Sequence, residues 1–213
     1  RLEAGYSLPR QQFDHLLFNQ VQQLVRDAGG AIIQGGEVRD VLYDDGAGGD
    51  DPGKGSGAAR HAKGIVVRIG GRKGEESTYH APTVVGAAGY RCPVAKSMLE
   101  ETYEEPMVDR DHYCAGYREY WRGVKGCEDN VGDIEIHFVD TVIPGYFWLF
   151  PVAEGVVNVG IGMVMSLLDK QSKKLKALQA EVIAEHPLFK DRFAEATMIP
   201  GTGKGRQLPF GSP

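Results

Sequence analysis

The sequence is short of cysteine, lacks a long apolar run and has no excess of positive charge, and each shortage removes a class of protein. Cys92, Cys114 and Cys127 are its only cysteines and lie far apart. That spacing matches neither a disulfide framework nor a CxxC metal site, so they read as reduced structural thiols. No apolar run approaches the roughly 20 residues needed to cross a bilayer, and no charged-then-apolar leader opens the chain; a cytoplasmic protein is the expectation. A formal charge of -5 argues against a partner made of nucleic acid, because neutralising phosphates needs clustered Lys and Arg. The one basic cluster, Lys170, Lys173, Lys174 and Lys176, reads as a solvated helix face. The six histidines, at 15, 61, 80, 112, 137 and 186, are not spaced to set two ligands on one helix face, and no metal site is expected.

What remains is ordinary globular composition: 213 residues, 42% apolar and 25% charged, enough for one or two packed domains. The chain opens on Arg1 and stops at Gly211-Ser212-Pro213, which reads as a fragment or a processed piece. Phe13, Leu16, Leu17, Val21, Leu24 and Val25 recur at helical spacing between Pro9 and Gly29-Gly30, predicting an amphipathic helix over about residues 9–28. The stretch from Asp44 to His61, rich in Gly, Asp, Ala and Ser, reads as a long mobile loop. Ile65–Ile69 and Ser77–His80 flank Gly70-Gly71-Arg72-Lys73-Gly74 as a hairpin with a basic tip, and Thr83–Val85 reads as a short buried strand. Pro93–Thr102 carries helix formers. The acids Glu100, Glu101, Glu104, Glu105, Asp109 and Asp111 read as a solvent-facing patch.

From His112 the period changes to two. Tyr113, Ala115, Tyr117, Glu119 and Trp121 share one face, Ile134, Ile136 and Phe138 alternate with Glu135 and His137, and Tyr146–Phe150 and Val156–Val164 make two more strands. Leu175, Leu178, Val182 and Ile183 mark a closing helix over about 169–185. Consecutive strands with short links imply an α+β fold: a largely antiparallel sheet with helices on one face.

Two glycine-rich runs invite a nucleotide-binding reading and do not sustain it. Gly48–Lys54 fits GxxxxGK, but Gly55 stands where a P-loop needs Ser or Thr; Gly201–Gly205 follows no buried strand of a βαβ unit. No GxSxG turn is present to expose a serine nucleophile. The informative stretch is Pro144–Pro151, PGYFWLFP. Both faces of that strand are apolar, so both need cover, and in the next strand Asn158, Gly160 and Gly162 leave one face nearly bare. A cofactor ring, a flat substrate or the neighbouring aromatic residues could approach that bare face. With Glu154-Gly155 as a two-residue loop, Phe147 and Leu149 would cover the glycines; with Ala153 included, Tyr146 and Trp148 would.

The run PGYFWLFP with Gly160-Ile161-Gly162 behind it resembles the P-x-Y-x-W-x-F-P and GxG motif of the geranylgeranyl reductase family. Leu8–Asp14 resembles the R-x-x-F-D stretch of the same flavoprotein superfamily, and Val84–Gly89 its A-D/S-G turn, with Ala88 where Asp or Ser is usual. The resemblance implies a hydroxybenzoate hydroxylase-like fold, in which residues 1–92 supply part of a Rossmann-like FAD domain and residues 93–213 an antiparallel-sheet substrate domain. The segments that hold most of the flavin are expected to lie outside the chain, so retention of FAD by these residues alone is in doubt.

By the same resemblance, FAD passes a hydride to a carbon-carbon double bond of a prenyl chain. Tyr146, Trp148, Phe150 and Pro151 would line the channel near the flavin, and Gly160 and Gly162 would permit close approach. Arg10 would contact the FAD phosphates or ribityl chain, with a plain surface residue as the alternative. No general acid and no electron donor is singled out. A prenyl or other apolar small molecule is the implied partner, and such a substrate would make peripheral membrane contact sensible. Flavin-dependent halogenases, whose related strand reads W-x-W-x-I-P, are the nearest rival, and Tyr146 and Phe150 favour the reductase. A relative of the electron-transfer flavoprotein-quinone reductases and a non-catalytic module for an apolar ligand or a protein also stay open at the level of sequence.

Overall fold

Gln22–Val108 form one compact unit, and Asp109–Pro213 with the first 21 residues form a second. The computed structural model describes residues 8–44, 61–128, 133–171 and 174–209. The GxxxxGK run and the Gly-rich stretch over 45–60 lie outside the described residues, as does Lys173.

Helix α1 spans Arg10–Asp27, close to the predicted range. Gly29 ends it at φ 71, where a glycine adopts left-handed backbone without a Cβ penalty, and the Gly30 amide returns to the Val25 carbonyl at 2.8 Å. The helix is amphipathic but buries nothing: Phe13, Leu16, Leu17, Val21 and Leu24 are all exposed.

In the first unit β1 (Gly36–Tyr43), β2 (Ala62–Ile69) and β3 (Glu75–His80) form an antiparallel sheet in that order. The β2–β3 link contains the basic tip, a 3-10 turn at Gly71–Lys73. Thr83–Val85, expected as a buried strand, is not one. No strand of this sheet pairs with it, and Val85 is 81% exposed. β-branched residues favour extended backbone but cannot make a strand without a partner edge. The helix predicted over 93–102 divides into α2 (Pro93–Lys96) and a wider π-helical turn at Ser97–Thr102.

The second unit is built on a six-stranded antiparallel sheet. Its strands are β4 (Tyr113–Arg122), β5 (Glu135–His137), β6 (Tyr146–Ala153), β7 (Val156–Val164), β8 (Thr197–Met198) and β9 (Lys204–Pro209). Their order is β5-β6-β7-β4, with β8 and β9 both on the far side of β4. The closing helix is two helices, α3 (Met165–Gln171) and α4 (Leu175–Glu185), and the first begins four residues earlier than the pattern suggests. Lys170, Lys174 and Lys176 are exposed, as expected of a solvated face.

One face of this sheet is the core. Phe147 and Leu149 of β6 and Val157, Val159, Ile161 and Met163 of β7 are fully buried, and Leu178 and Val182 of α4 and Phe189 close over them. Each such side chain contributes about 1.5–3 kcal/mol by leaving water. The helices cover this face alone, so the alternate residues of β4, β6 and β7 point to the other, which carries the candidate site.

Candidate functional site

The register of β6 on β7 answers the question the sequence leaves open. Glu154-Gly155 is a two-residue turn at φ 51 and 66, but the pairing slips between Pro151 and Ala153, so Pro151 faces Val157 and Ala153 faces Val156. That bulge supplies the extra residue. Tyr146 therefore pairs with Gly162 and Trp148 with Gly160.

On the open face this makes an aromatic row. Tyr146 and Trp148 have ring centroids 5.8 Å apart, and Trp148 stacks on Phe150 at 6.0 Å. Phe138 extends the row from the β5 side, 6.5 Å from Tyr146. The Trp148 Nε1–H donates to Asn158 Oδ1 at 3.0 Å, which fixes the indole across β7.

Beside the row lies a floor of bare backbone, and its glycines divide into two kinds. A Cβ at Gly160 would sit 2.1 Å from Trp148 Cζ2, so this glycine exists to admit the indole. At Gly162 the nearest atoms would be 3.7 Å away, and at Gly116, its register partner on β4, 3.9 Å. Neither is glycine because a protein neighbour demands it. Gly162 is half-buried and leaves room for a flat group against the backbone, whereas Gly116 is buried.

Beyond the floor the face turns cationic. Arg118 pairs with Gly160 on one side and Lys204 on the other, and Arg206 pairs with Gly116. The half-buried Arg118 guanidinium donates from Nη1 to the Thr202 carbonyl at 2.5 Å and lies 4.6 Å from the centre of the Tyr120 ring. Lys204 and Arg206 are exposed.

Two polar clusters of this unit sit on the core face and hold the frame. Arg192 grips Glu135 through Nη1 and Nη2 at 2.7 and 2.8 Å, and also donates to the Lys125 carbonyl at 2.8 Å. These hydrogen bonds from Arg192 hold the Glu135 carboxyl below its ordinary value. Deeper, the Tyr117 hydroxyl donates to Glu119 Oε1 at 2.7 Å, while Gln179 Nε2 donates to Oε2 at 3.2 Å. Burial and the neighbouring carboxylate push the Tyr117 phenol up to about 12. Among the described residues, no cluster of His, Cys, Asp or Glu could hold a metal ion, and no helix is long and apolar enough to cross a membrane.

Of the residues singled out from sequence, Tyr146, Trp148, Phe150, Gly160 and Gly162 meet on one face. Pro151 pairs with buried Val157 and shares the side of Phe147 and Leu149. Arg10 is exposed and engaged with Asp14, Nη2 to Oδ2 at 2.7 Å. Sequence reading missed Gly116 and Arg118, although the alternation that grouped Ala115, Tyr117 and Glu119 also places them together on the opposite face.

The strand of aromatic residues beside its glycine floor has a counterpart among known proteins. Residues 113–200 match the family model of the geranylgeranyl reductase catalytic domain. This bears out the resemblance carried by PGYFWLFP and its trailing GxG. The reductase-like segment runs from β4 to just beyond β8 and so contains the aromatic row and both β7 glycines.

Among solved structures, a geranylgeranyl bacteriochlorophyll reductase-like protein of Thermoplasma acidophilum aligns with a TM-score of 0.52 at 19% identity, covering 80% of this chain and 36% of that one. The chondrochloren halogenase of a myxobacterium, described as a variant of FAD-dependent halogenases, aligns at 0.63 and 21%, covering 98% and 42%. A flavin-dependent brominase aligns at 0.62 and 16%, covering 95% and 44%. At these identities the likeness is one of fold, the α+β architecture expected from the strand pattern. The chain spans less than half the length of each of these three structures.

Proposed function

We propose that this chain is the substrate-facing part of an FAD-dependent oxidoreductase that reduces carbon-carbon double bonds in a prenyl chain. The observation that carries the reading is the half-buried Gly162, with room above its backbone, beside the Tyr146–Trp148–Phe150 row and within a segment that matches the reductase catalytic domain. A flat ring fits where a Cβ would meet nothing nearer than 3.7 Å, so the residues present suit a flavin. Gly162 would take the ring against the backbone. Bound FAD supplies the hydride. The chain's own part is to lay an apolar polyene along the aromatic row, exclude water from it and hold the reacting carbon over the floor.

Residues 1–92 would contribute to the flavin domain and 93–213 to the substrate domain, with Arg10 available to the FAD phosphates or ribityl chain once its pairing with Asp14 is exchanged. The exposed apolar stripe of α1 favours part of a larger enzyme over an autonomous binding module. A halogenase reading has the higher fold likeness in its favour; Tyr146 and Phe150 of β6 weigh against it.

The test is anaerobic turnover by the full-length protein. A flavin absorbance that survives desalting, followed by gain of one H2 per double bond in a prenyl substrate, would support the reading. Halide-dependent transfer to an aromatic acceptor without prenyl reduction would replace it with the halogenase.

A further inference from the structure

We propose that Asn158 is a positioning residue: it holds the Trp148 indole in one of two opposite orientations, so that only the hydrocarbon edge of the ring faces the floor at Gly162. The inference rests on the reading that an apolar chain lies along the aromatic row. It adds what keeps that row apolar at its centre.

The ring can be traced atom by atom along β7. Its Nε1–H donates to Asn158 Oδ1 at 3.0 Å. Cε2, Cζ2 and Cη2 fill the place that a Cβ at Gly160 would take, and Cζ3 lies 3.7 Å from the corresponding point at Gly162. The indole is therefore laid lengthwise over the strand, with its N–H at the Asn158 end and its six-membered ring reaching toward Gly162. Asn158, Gly160 and Gly162 are alternate residues of β7 and share its open face. They work as a set: an acceptor, a bed without a side chain, and the floor.

The χ2 torsion of tryptophan is broad and roughly two-fold, so a half-turn would exchange the two edges of the ring. That turn would carry the N–H, the one polar group of the indole, to the Gly162 side. An apolar chain lying there would then strip water from a donor it cannot satisfy. An indole N–H only donates, so within the Asn158 amide the oxygen is the atom that can hold it. Burial alone does not call for that acceptor. Trp148 is half-buried, and water can serve a ring N–H on an open face at little net cost. What an acceptor built into the strand adds is direction. Asparagine is also depleted in strands, and this one stands where β7 is paired on both sides, opposite Phe150 and Tyr120.

The test is equilibrium binding of a twenty-carbon prenyl alcohol by the full-length protein, with fluorine NMR of 5-fluorotryptophan-labelled samples to follow the ring. Asn158→Leu, close in size and without an acceptor, is expected to weaken binding of the alcohol about threefold or more, because the competent orientation becomes only a fraction of the population. It should also move or split the Trp148 resonance, which is identified by its loss in Trp148→Phe. In a Trp148→Phe background no N–H remains to be turned, and Asn158→Leu should leave the affinity where Trp148→Phe alone puts it. Circular dichroism restricts the comparison to folded protein, and Asn158→Ala, too small to crowd the site, is read instead if the leucine variant does not fold. Binding by the Asn158 variant at the parent's affinity overturns the positioning role and leaves the prenyl reading standing. A loss that persists in full in the Trp148→Phe background also overturns it, because Asn158 then acts by another route. A parent protein that binds no prenyl alcohol overturns both.

Discussion

The indole of Trp148 occupies the space that a side chain at Gly160 would need, with Cζ2 only 2.1 Å from where that Cβ would be. The two residues are register partners, and neither can change alone. Gly160→Ala should expel the indole from its seat, break its bond to Asn158 and cost about 2 kcal/mol, as overpacking in a filled site does. Gly162→Ala should do the opposite. Its Cβ would meet only ordinary contacts, and less backbone entropy would be lost on folding, a gain of up to about 1 kcal/mol. Chemical denaturation of the two variants reads both signs. If the floor receives a ligand, Gly162→Ala should lower turnover in a protein that is no less stable.

Asn158→Ala removes the acceptor for the Trp148 Nε1–H. Trp148 is only half-buried, so the expected cost is about 1 kcal/mol, the net worth of one hydrogen bond. Tryptophan emission should change with it, because the ring loses its fixed orientation over β7.

Phe147→Ala removes a fully buried ring that packs 4.7 Å from Phe189, centroid to centroid. Denaturation should show a loss of about 3–5 kcal/mol. The open face keeps all of its side chains in this variant, so its damage is confined to stability.

Glu135 gives the fold an acid-sensitive element. Arg192 holds its carboxyl below the ordinary value, so the fold gains stability that is fully present above the unfolded-state value, about 4.3. That stability should fade as pH falls below about 4.3 and through the lower folded-state value. Glu135→Gln should flatten this part of the stability profile in acid titrations followed by circular dichroism. Tyr117 has the opposite sign. Its phenol is raised to about 12, so its contribution should be complete below about 10 and disappear between there and 12.

The sheet was legible from sequence because its strands keep a period of two: Ala115, Tyr117 and Trp121 do pack against the core. The register of β6 was not legible, because it turns on a single bulged residue between Pro151 and Ala153, and hydropathy is blind to such a slip when both faces are apolar. β5 defeats hydropathy outright. Its apolar Ile136 is 51% exposed while Glu135 and His137 point inward, the first satisfied by Arg192 and the second edge-on to Phe189 at 4.9 Å. An ion pair formed across 57 residues has no local signature. The same limit hid the cation group, since Arg118 and Lys204 become neighbours only when β9 returns to β4.

β7 is hydrogen-bonded along both edges, and every second residue of it is locked in the core. The surface at Gly162 is therefore backbone held from both edges, with no side chain of its own to swing aside. A molecule laid on it is measured for thickness as well as for shape. One added methyl on the underside of a planar ring would have nowhere to go, and selectivity of that kind is rejection by a rigid surface, with no loop closure involved.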